Sequence, residues 1–366
     1  MEIGSEFHLE KYIEKEKNGN SIWNYKQMIY TTSGRGALAL LLEQLNPKIK
    51  TVLLPNYLCD SIIQVFVTYG YKCKFYLINT DLTPEINSIL TDKVGVFFHM
   101  GYFGRKANGS LYNLLKDIKS KSIIIVEDIT HTLFSTYSRC VYNDYYISSI
   151  RKWMGIPSGG FLASNNCEVN AILQKDETFS RIRKEALTLK SLYLSNKEEE
   201  VKVKFRELLA TTEKMLEEFP YPYEIDSESL IRIQSIDSVS IIEKRRHNFL
   251  TLHELLQGIE TIVPVYSYLA MDECPLFYPI YIKNRDLIQN LLVKKNIYCP
   301  IHWPIPTEVK YNMPMETKEI YDTILSIPCD QRYNKNHMNR VVDLLKQFIC
   351  EIERELRAEQ SDGSNL

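Results

Sequence analysis

Short apolar runs alternate with longer amphipathic segments through the first 165 residues of the chain. A short apolar run between polar residues predicts a buried strand, whereas apolar residues with a 3.6-residue period predict a helix. Strands are predicted at 50–55, 72–78, 94–99 and 122–126, and helices at 37–45, 60–69 and 111–120. Strands separated by helices of ~10–15 residues indicate an α/β fold, in which a mostly parallel sheet lies between two layers of helices.

The second half of the chain has a different pattern. Residues 176–218 are charged and helical with an interruption near Asn196, which predicts a helical connector that faces solvent or a partner. After an aromatic and proline cluster at 219–223, helices at 235–257 and 286–295 and a strand at 276–282 indicate a smaller α+β region. We predict an N-terminal arm at 1–28, a large domain with the helical connector at 29–220, a small C-terminal domain at 221–357 and a frayed tail at 358–366.

Composition and charge narrow the classes of function. With 44 basic and 46 acidic residues the net charge is −2, which gives no general attraction to nucleic acid or to an anionic membrane. No apolar stretch approaches the ~18 residues that a membrane span needs, and the acidic start does not resemble a signal peptide. The eight cysteines contain no Cys-x-x-Cys pair, which favours reduced cysteines over a metal site. We expect a cytoplasmic protein with no metal, nucleic acid or membrane partner.

A lysine and an aspartate stand at the ends of two predicted strands. Lys152 ends the run 144–152 and precedes Gly159-Gly160, and Asp128 ends the apolar strand that begins at residue 122. Pyridoxal phosphate enzymes need this layout, because a lysine holds the cofactor as a Schiff base and an aspartate pairs with its pyridinium nitrogen. We expect Lys152 to be buried beside the cofactor. The alternative is that Arg151-Lys152 is a basic pair at a strand end, without a role in chemistry.

Asp128 and His131 belong to the segment that follows the strand at 122–126. A carboxylate at the carboxyl end of a parallel strand faces the crevice in which open α/β sheets bind their ligands. Asp128 would keep the cofactor's ring nitrogen protonated, so that the ring acts as an electron sink, and His131 would contact its phenolic oxygen. The alternative role for Asp128 is a helix N-cap. Glu127 points to the opposite face of the strand and is the weaker candidate.

Gly34-Arg35-Gly36 opens the helix predicted at 37–45. Backbone N–H groups and the helix dipole at such a position can bind a phosphate. The segment is neither a Gly-x-Gly-x-x-Gly motif nor a P-loop, so it points to a single phosphate group and not to a dinucleotide or a nucleoside triphosphate. Ser149, three residues before Lys152, would donate its hydroxyl to the same phosphate. A ligand-free turn and an ordinary strand-end serine are the alternatives.

Two residues after the strand at 50–55 compete for the position over the cofactor ring. An aromatic side chain would stack on the ring, which favours Tyr57, but Cys59 has a similar place in the sequence. The choice between them is left open.

In this order and spacing the segments resemble the DegT-like family of sugar aminotransferases, from about Ser33 to Leu344. The matching segments are Ser33–Leu38, similar to the family's Ser-Gly-Thr-Ala-Ala-Leu; Glu127–His131, similar to Glu-Asp-Ala-Ala-His; Ser149–Lys152 before Gly159-Gly160; Tyr298–Pro304, similar to Tyr-x-Pro-x-His; and Ile324–Pro328, similar to Leu-Ser-Leu-Pro. Arg35 replaces the family's threonine, and residues 156–160 replace its Gly-Glu-Gly-Gly. These departures suggest a divergent branch with its own substrate.

The resemblance implies an aspartate-aminotransferase fold, with a sheet of the seven-stranded type in the large domain. It implies pyridoxal 5'-phosphate held by Lys152, Asp128 and His131, with the phosphate at Ser149 and the Gly34–Gly36 turn. His302 would lie near the substrate or, alternatively, pack beside Trp303 for structural reasons. A homodimer with shared active sites is implied, and the connector at 176–218 would supply the interface.

The activity implied is transfer of an amino group from glutamate or glutamine to a keto sugar, nucleotide-linked, in surface polysaccharide or secondary-metabolite sugar biosynthesis. Lys152 would move the proton during this transfer. One alternative is a pyridoxal phosphate-dependent sugar dehydratase, although the family's dehydratases carry histidine in place of the lysine. Another is a non-catalytic sensor on the same fold, which has no need of Lys152.

Overall fold

The computed structural model describes residues 2–9, 23–107, 109–218, 220–311 and 313–363. These residues form a seven-stranded sheet and a three-stranded sheet. The strands of the large sheet are β1 (Gln27–Thr31), β2 (Thr51–Pro55), β3 (Lys72–Tyr76), β4 (Val96–Met100), β5 (Ile124–Asp128), β6 (Tyr145–Ser149) and β7 (Gly160–Ser164). Those of the small sheet are β8 (Ile262–Pro264), β9 (Tyr278–Ile282) and β10 (Ile324–Ile327).

Helices connect these strands and cover the sheets. The α-helices of the described residues are α1 (Gly34–Gln44), α2 (Asp60–Thr68), α3 (Gly109–Ser120), α4 (Thr178–Asn196), α5 (Glu199–Glu218), α6 (Ser227–Gln234), α7 (Ser238–Leu256), α8 (Arg285–Lys294), α9 (Thr307–Lys310), α10 (Met315–Thr323) and α11 (Lys335–Gly363). Short 3-10 turns occupy Ile86–Ser88, Thr130–Thr132 and Ile150–Lys152. Among the described residues, no helix combines the length and the apolar character that crossing a bilayer requires.

The large sheet has the order β1-β7-β6-β5-β4-β2-β3. The strands β3, β2, β4, β5 and β6 pair in parallel, and β7 is antiparallel to both β6 and β1. Strands β2 and β4 are buried along their whole length, as expected for parallel strands that are covered by helices on both faces. The prediction of an α/β fold with a mostly parallel sheet is confirmed, and the carboxyl ends of β5 and β6 lie at the same edge.

Helix α1 is held tightly against this sheet. Its residues Gly36–Leu42 are all buried, so the helix is enclosed on all sides instead of having one polar face. Burial of each large aliphatic side chain stabilises the fold by about 1.5–3 kcal/mol. Ser33 caps the helix, since its side chain accepts a hydrogen bond from the Gly36 N–H at 3.0 Å. The packing fixes the amino end of α1 close to the ends of β6 and β7.

The charged segment 176–218 folds back on itself as a hairpin of α4 and α5. Lys197 joins the helices in a left-handed conformation with φ of 62°, which ends α4 at the interruption predicted from the sequence. The hairpin encloses a small core of its own, made of Ala186, Leu187, Tyr193, Phe205 and Leu209. One of its faces is turned toward its own chain, where two charged residues reach the candidate site.

All strands of the large sheet precede residue 220 in the sequence, and all strands of the small sheet follow it. This order fits the predicted division into a large and a small domain, although the domain boundaries themselves stay predictions. Helix α11 runs to Gly363 and therefore through most of the segment predicted to be a frayed tail; residues 364–366 lie outside the described residues. Of the predicted arm, residues 1 and 10–22 also lie outside them. Ile3 pairs with the small domain, because its N–H donates to Asn296 O at 3.0 Å and its carbonyl accepts from Tyr298 N–H at 2.8 Å.

Candidate active site

A cavity of about 290 Å³ opens at the carboxyl ends of β5 and β6. This volume is close to the lower end of the roughly 300–1,000 Å³ typical of small-molecule sites. Eight of the ten residues predicted from the sequence line it: Gly34, Arg35, Cys59, Asp128, His131, Ser149, Lys152 and His302. Gly36 and Tyr57 do not. The topology therefore brings together segments that are more than 250 residues apart in the sequence.

Lys152 ends the 3-10 turn that follows β6. The sequence predicts a buried lysine, but this expectation is wrong: the side chain is exposed on the cavity wall. The reason is that Lys152 lies in the turn after β6 and not in the strand itself, so it is not covered on both sides as the central residues of β6 are. Its positive charge still acts on the site, because it contributes to lowering the pKa of both His131 and His302.

Asp128 is the last residue of β5 and is buried. Its Oδ1 accepts a hydrogen bond from the Thr130 N–H at 2.8 Å. Burial raises the pKa of the Asp128 carboxyl to about 6, against the opposing effect of the bonds from Thr130. A carboxylate of this kind is stabilised by a cationic N–H group in the cavity, and the pyridinium N–H of pyridoxal phosphate would provide one.

Glu127 does not compete for this role. Its Oε1 lies 3.0 Å from Arg139 Nη1, and its Oε2 accepts a hydrogen bond from Asn143 Nδ2 at 2.6 Å. The residue points to the opposite side of β5 and is not on the cavity wall. Its charge is already balanced there, which leaves Asp128 as the carboxylate of this strand that faces the cavity.

Two neutral histidines form part of the wall. Burial and the charge of Lys152 lower the pKa of His131 to about 3. The Phe103 N–H donates to His131 Nδ1 at 3.4 Å, which assigns the ring proton to Nε2. Burial, followed by the effects of His131 and Lys152, holds the pKa of His302 well below its usual range. His302 Nδ1 lies 2.8 Å from Ser326 Oγ, so one edge of its ring is fixed while the residue still borders the cavity.

Glycines allow the amino end of α1 to approach the ends of β6 and β7. A Cβ atom on Gly34 would lie 3.0 Å from Ser149 Cβ, and one on Gly160 would lie 2.2 Å from the backbone of Ser33. Gly34, Arg35 and Ser149 therefore meet at one end of the cavity. The N–H of Gly36 is used by the Ser33 cap, so the structure does not bring this third residue of the predicted phosphate turn into the site.

Of the two candidates for the position over the ring, Cys59 lines the cavity and Tyr57 does not. Tyr57 is fully buried behind the wall, where its hydroxyl donates to the His302 carbonyl oxygen. Its ring packs against Tyr102 and Trp303, with centroids 5.4 and 5.2 Å away. Tyr57 thus supports the wall, and Trp303 is the aromatic side chain that borders the cavity there.

Thr130 is a site residue that the sequence reasoning missed. Besides the bond to Asp128, its Oγ1 accepts from the Ser149 N–H at 3.0 Å, and its carbonyl oxygen accepts from Trp153 Nε1 at 2.6 Å. It therefore ties the end of β5 to the end of β6 and to the residue after Lys152. Its position in the sequence between Asp128 and His131 could have identified it as a site residue.

A cluster of charged residues was missed as well. Arg151, Arg183, Glu213 and Glu6 line the cavity, and two of them come from the α4–α5 hairpin. Arg151 adjoins Lys152 in the sequence and could have been suspected. The charge pattern of residues 176–218 indicates helices but does not indicate which of their residues face the cavity, so Arg183 and Glu213 had no such signal.

These residues fit pyridoxal phosphate. A lysine stands on the wall, a buried acid needs a cationic N–H partner, and buried guanidinium nitrogens of Arg35 and Arg183 lack partners among the described residues. The lysine can react with the aldehyde of the cofactor, the acid can pair with its ring nitrogen, and the arginines can bind its phosphate.

No protein-family model matches the chain, and no curated protein matches it in sequence. Solved structures do resemble it. The Helicobacter pylori aminotransferase PseC, involved in the biosynthesis of pseudoaminic acid, has a TM-score of 0.64 at 14% identity, covering 89% of this chain and 87% of its own. The sugar aminotransferase CalS13 from Micromonospora echinospora has a TM-score of 0.63 at 12% identity, covering 88% of each chain.

A DegT DnrJ EryC1 StrS aminotransferase from Brucella abortus has a TM-score of 0.60 at 15% identity, covering 88% of this chain and 86% of its own. At such low identity the likeness establishes the fold alone. The mixed seven-stranded sheet and the small antiparallel sheet agree with this fold. The chain therefore has the aspartate-aminotransferase-like fold of these proteins.

Proposed function

We propose that the chain is a pyridoxal phosphate-dependent aminotransferase that moves an amino group from glutamate or glutamine to a nucleotide-linked keto sugar. The observation that carries the proposal is the convergence of Lys152, Asp128, His131 and Ser149 on one cavity at the carboxyl edge of the sheet. A fold of this type hosts several functions, so the residues of the site, and not the fold, support this activity.

Each residue would have a separate task. Asp128 would hold a proton on the cofactor's ring nitrogen, and Ser149 with Gly34 and Arg35 would bind its phosphate. When bound, the cofactor supplies an electron sink for the carbon that gains or loses the amino group. Lys152 Nζ would hold the cofactor and, once displaced by the substrate amine, move the proton to or from that carbon. Neutral His131, with its proton on Nε2, would donate a hydrogen bond to the cofactor.

The attachment of the cofactor can be tested directly. Purified protein is incubated with pyridoxal phosphate, reduced with borohydride and digested, and the labelled lysine is found by mass spectrometry. Label on Lys152 supports the proposal. Lys190 is a demanding internal control, because burial lowers its pKa to about 8 although it is not on the cavity wall. Label on Lys190 and not on Lys152 would contradict the assignment of the site.

Transfer is tested next with the loaded protein. Glutamate or glutamine should bleach the visible cofactor band and release one equivalent of keto acid, and Lys152→Ala should abolish this release. Restoration of the visible band by a nucleotide-linked keto sugar would identify the acceptor class. A visible band with no keto acid from any amino donor would instead favour the dehydratase or the sensor.

The homodimer with shared active sites remains part of the proposal. The exposed position of Lys152 supports it, because a second subunit at the cavity opening would reduce its contact with water. Mass measurement by light scattering, together with restored activity on mixing two differently inactivated variants, would test the sharing.

A further inference from the structure

Three arginine side chains surround Glu213 on one wall of the cavity. Arg35 Nη2 lies 3.8 Å from Glu213 Oε2, and Arg151 Nη1 and Arg183 Nη1 each lie 3.5 Å from Glu213 Oε1. These separations exceed the ~2.7–2.9 Å typical of a charge-assisted hydrogen bond. The carboxylate of Glu213 therefore occupies the space among the arginines only loosely.

Each arginine also has a buried nitrogen that lacks a hydrogen-bond partner among the described residues. These atoms are Arg35 Nη1, Arg151 Nε and Arg183 Nε. The Arg183 side chain is only 7% exposed, and yet it lines the cavity. A buried donor without a partner is destabilising, and a ligand oxygen in the cavity would remove that penalty. The unpaired donors indicate a ligand with several acceptor oxygens.

The charges on the wall favour an anion. Histidines apart, six cationic side chains and four carboxylates line the cavity, which leaves two positive charges uncompensated. Burial and the neighbouring Arg183 lower the pKa of Arg151 to about 10, so these guanidinium groups repel each other. Burial alone would raise the pKa of Glu213, but Arg151, Lys152 and the other cations hold it at about 2. Glu6 is the second carboxylate of the cluster, with its Oε2 3.5 Å from Arg183 Nη2, so three guanidinium groups face two loosely placed carboxylates. A dianion in place of Glu213 would add a second negative charge among the arginines and relieve more of their repulsion.

The cluster adjoins the amino end of α1. Arg35 is the second residue of that helix, and Gly34 before it lies against Ser149. Arg151 follows Ser149 by two residues. The arginines thus stand beside the positive end of a helix dipole and a hydroxyl group, and both favour phosphate oxygens.

We propose that Arg35, Arg151 and Arg183 form the binding site of a phosphate group, and that Glu213 is the resident carboxylate that the phosphate displaces. Phosphate fits better than a carboxylate, because it offers three acceptor oxygens and about two charges to three guanidinium groups. The phosphate is that of the cofactor, in which case the inference rests on the proposed function, or the diphosphate of a nucleotide-linked sugar.

The test is a titration of the full-length, cofactor-free protein with inorganic phosphate, in which the melting temperature of the protein is the readout of binding. Arg183→Gln should weaken phosphate binding by about tenfold or more, because a charged donor is lost. Arg181→Gln is the matched control, because Arg181 lies on the same helix, is exposed and is not on the cavity wall. The phosphate affinity of this variant should equal that of the wild type. Equal affinity of Arg183→Gln and the wild type would overturn the proposal. If Arg183→Gln does not fold, Arg35→Met takes its place.

Glu213→Gln separates displacement from a merely structural ion pair. If phosphate displaces the carboxylate, removing its charge should tighten phosphate binding several-fold, since the competitor is gone. If Glu213 only organises the arginines, the same variant should bind phosphate no better or more weakly than the wild type, and the displacement would be refuted. Lys204→Gln, an exposed change on α5, controls for altered charge on the hairpin.

Two further ligands distinguish the sources of the phosphate. A preference for pyridoxal phosphate over pyridoxal that disappears in Arg183→Gln assigns the cofactor's phosphate to the cluster. Competition by uridine diphosphate that is lost in Arg183→Gln, with the cofactor preference intact, assigns the substrate's diphosphate. Either result supports the anion site. Failure of lysine labelling would contradict the proposed function and still leave the phosphate titration to decide the site.

Discussion

The Ser149 N–H donates a hydrogen bond to Thr130 Oγ1 at 3.0 Å, and this bond joins the end of β6 to the segment after β5. The Thr130 N–H donates to Asp128 on the same strand end. One small residue, through its backbone N–H and its hydroxyl oxygen, therefore links the acid that would face the ring nitrogen to the serine that would face the phosphate.

Thr130→Val should lower stability by about 1–3 kcal/mol, because it leaves the Ser149 N–H without its acceptor while keeping the shape of the side chain. Ser149→Ala keeps that N–H and removes only the hydroxyl, so it should weaken cofactor binding with little loss of stability. Urea unfolding and cofactor titration of both variants measure the two effects. Equal stability of Thr130→Val and the wild type would show that the bond is not needed.

Asp128→Asn should make the cofactor-free protein more stable at neutral pH. The folded-state pKa of about 6 lies above the ordinary 3.8, so the stability that protonated Asp128 contributes is present below pH 3.8 and lost as pH rises through 6. Asparagine does not titrate, and the variant should gain about 3 kcal/mol over the wild type between pH 4 and pH 7. Asp117→Asn on the exposed face of α3 should show no such gain. Urea unfolding at several pH values gives the comparison.

His131→Asn should reduce the amount by which the free energy of unfolding falls as the pH is lowered. The pKa of His131 is lowered to about 3, so its contribution is present above pH 6.5 and is lost progressively below that value, toward pH 3. Between pH 7 and pH 5 the wild type should therefore lose about 2 kcal/mol more than the variant, whose amide can still accept from the Phe103 N–H. The exposed His247→Asn serves as control. A parallel loss in His131→Asn and the wild type would contradict this assignment.

Gly160→Ala should be strongly destabilising, by about 3 kcal/mol or more, because its methyl group would lie 2.2 Å from the backbone of Ser33 and 2.6 Å from the nitrogen of Gly34. Gly109→Ala, whose methyl group would meet nothing within 4 Å, should be neutral or slightly stabilising. Thermal unfolding of both variants without cofactor makes the comparison. If Gly160→Ala were as stable as Gly109→Ala, the close approach of α1 to β7 would be refuted.

The buried parallel strands were predictable because both of their faces are covered, which makes each one a continuous apolar run. Strands β2, β4 and β5 accordingly agree with their predicted positions to within a few residues. Strand β3 also agrees, although it lies at an edge of the sheet and is only partly buried. Strands β1 and β7 were not predicted. The former is a half-buried edge strand, and the latter begins at Gly160, in a segment that the sequence indicated as a turn.

The site was predictable where a residue stands at the end of a parallel strand. Asp128 and Ser149 stand at strand ends, and parallel pairing alone brings those ends to one edge. Arg183 and Glu213 reach the cavity only because of how the helical hairpin is placed beside it, and no local pattern encodes that placement. The exposure of Lys152 was missed for a related reason, since a 3-10 turn after β6 has no apolar period that reveals its direction.

The antiparallel direction of β7 has a consequence for chain entropy. It turns the connection between β6 and β7 into a hairpin loop, residues 150–159, with Lys152 inside it, whereas a parallel pairing would require a long crossover. Closing so short a loop loses little conformational entropy, and the hydrogen bonds between β6 and β7 offset that loss. The position of the amine is therefore fixed locally and does not depend on how long or mobile the helical connections elsewhere become.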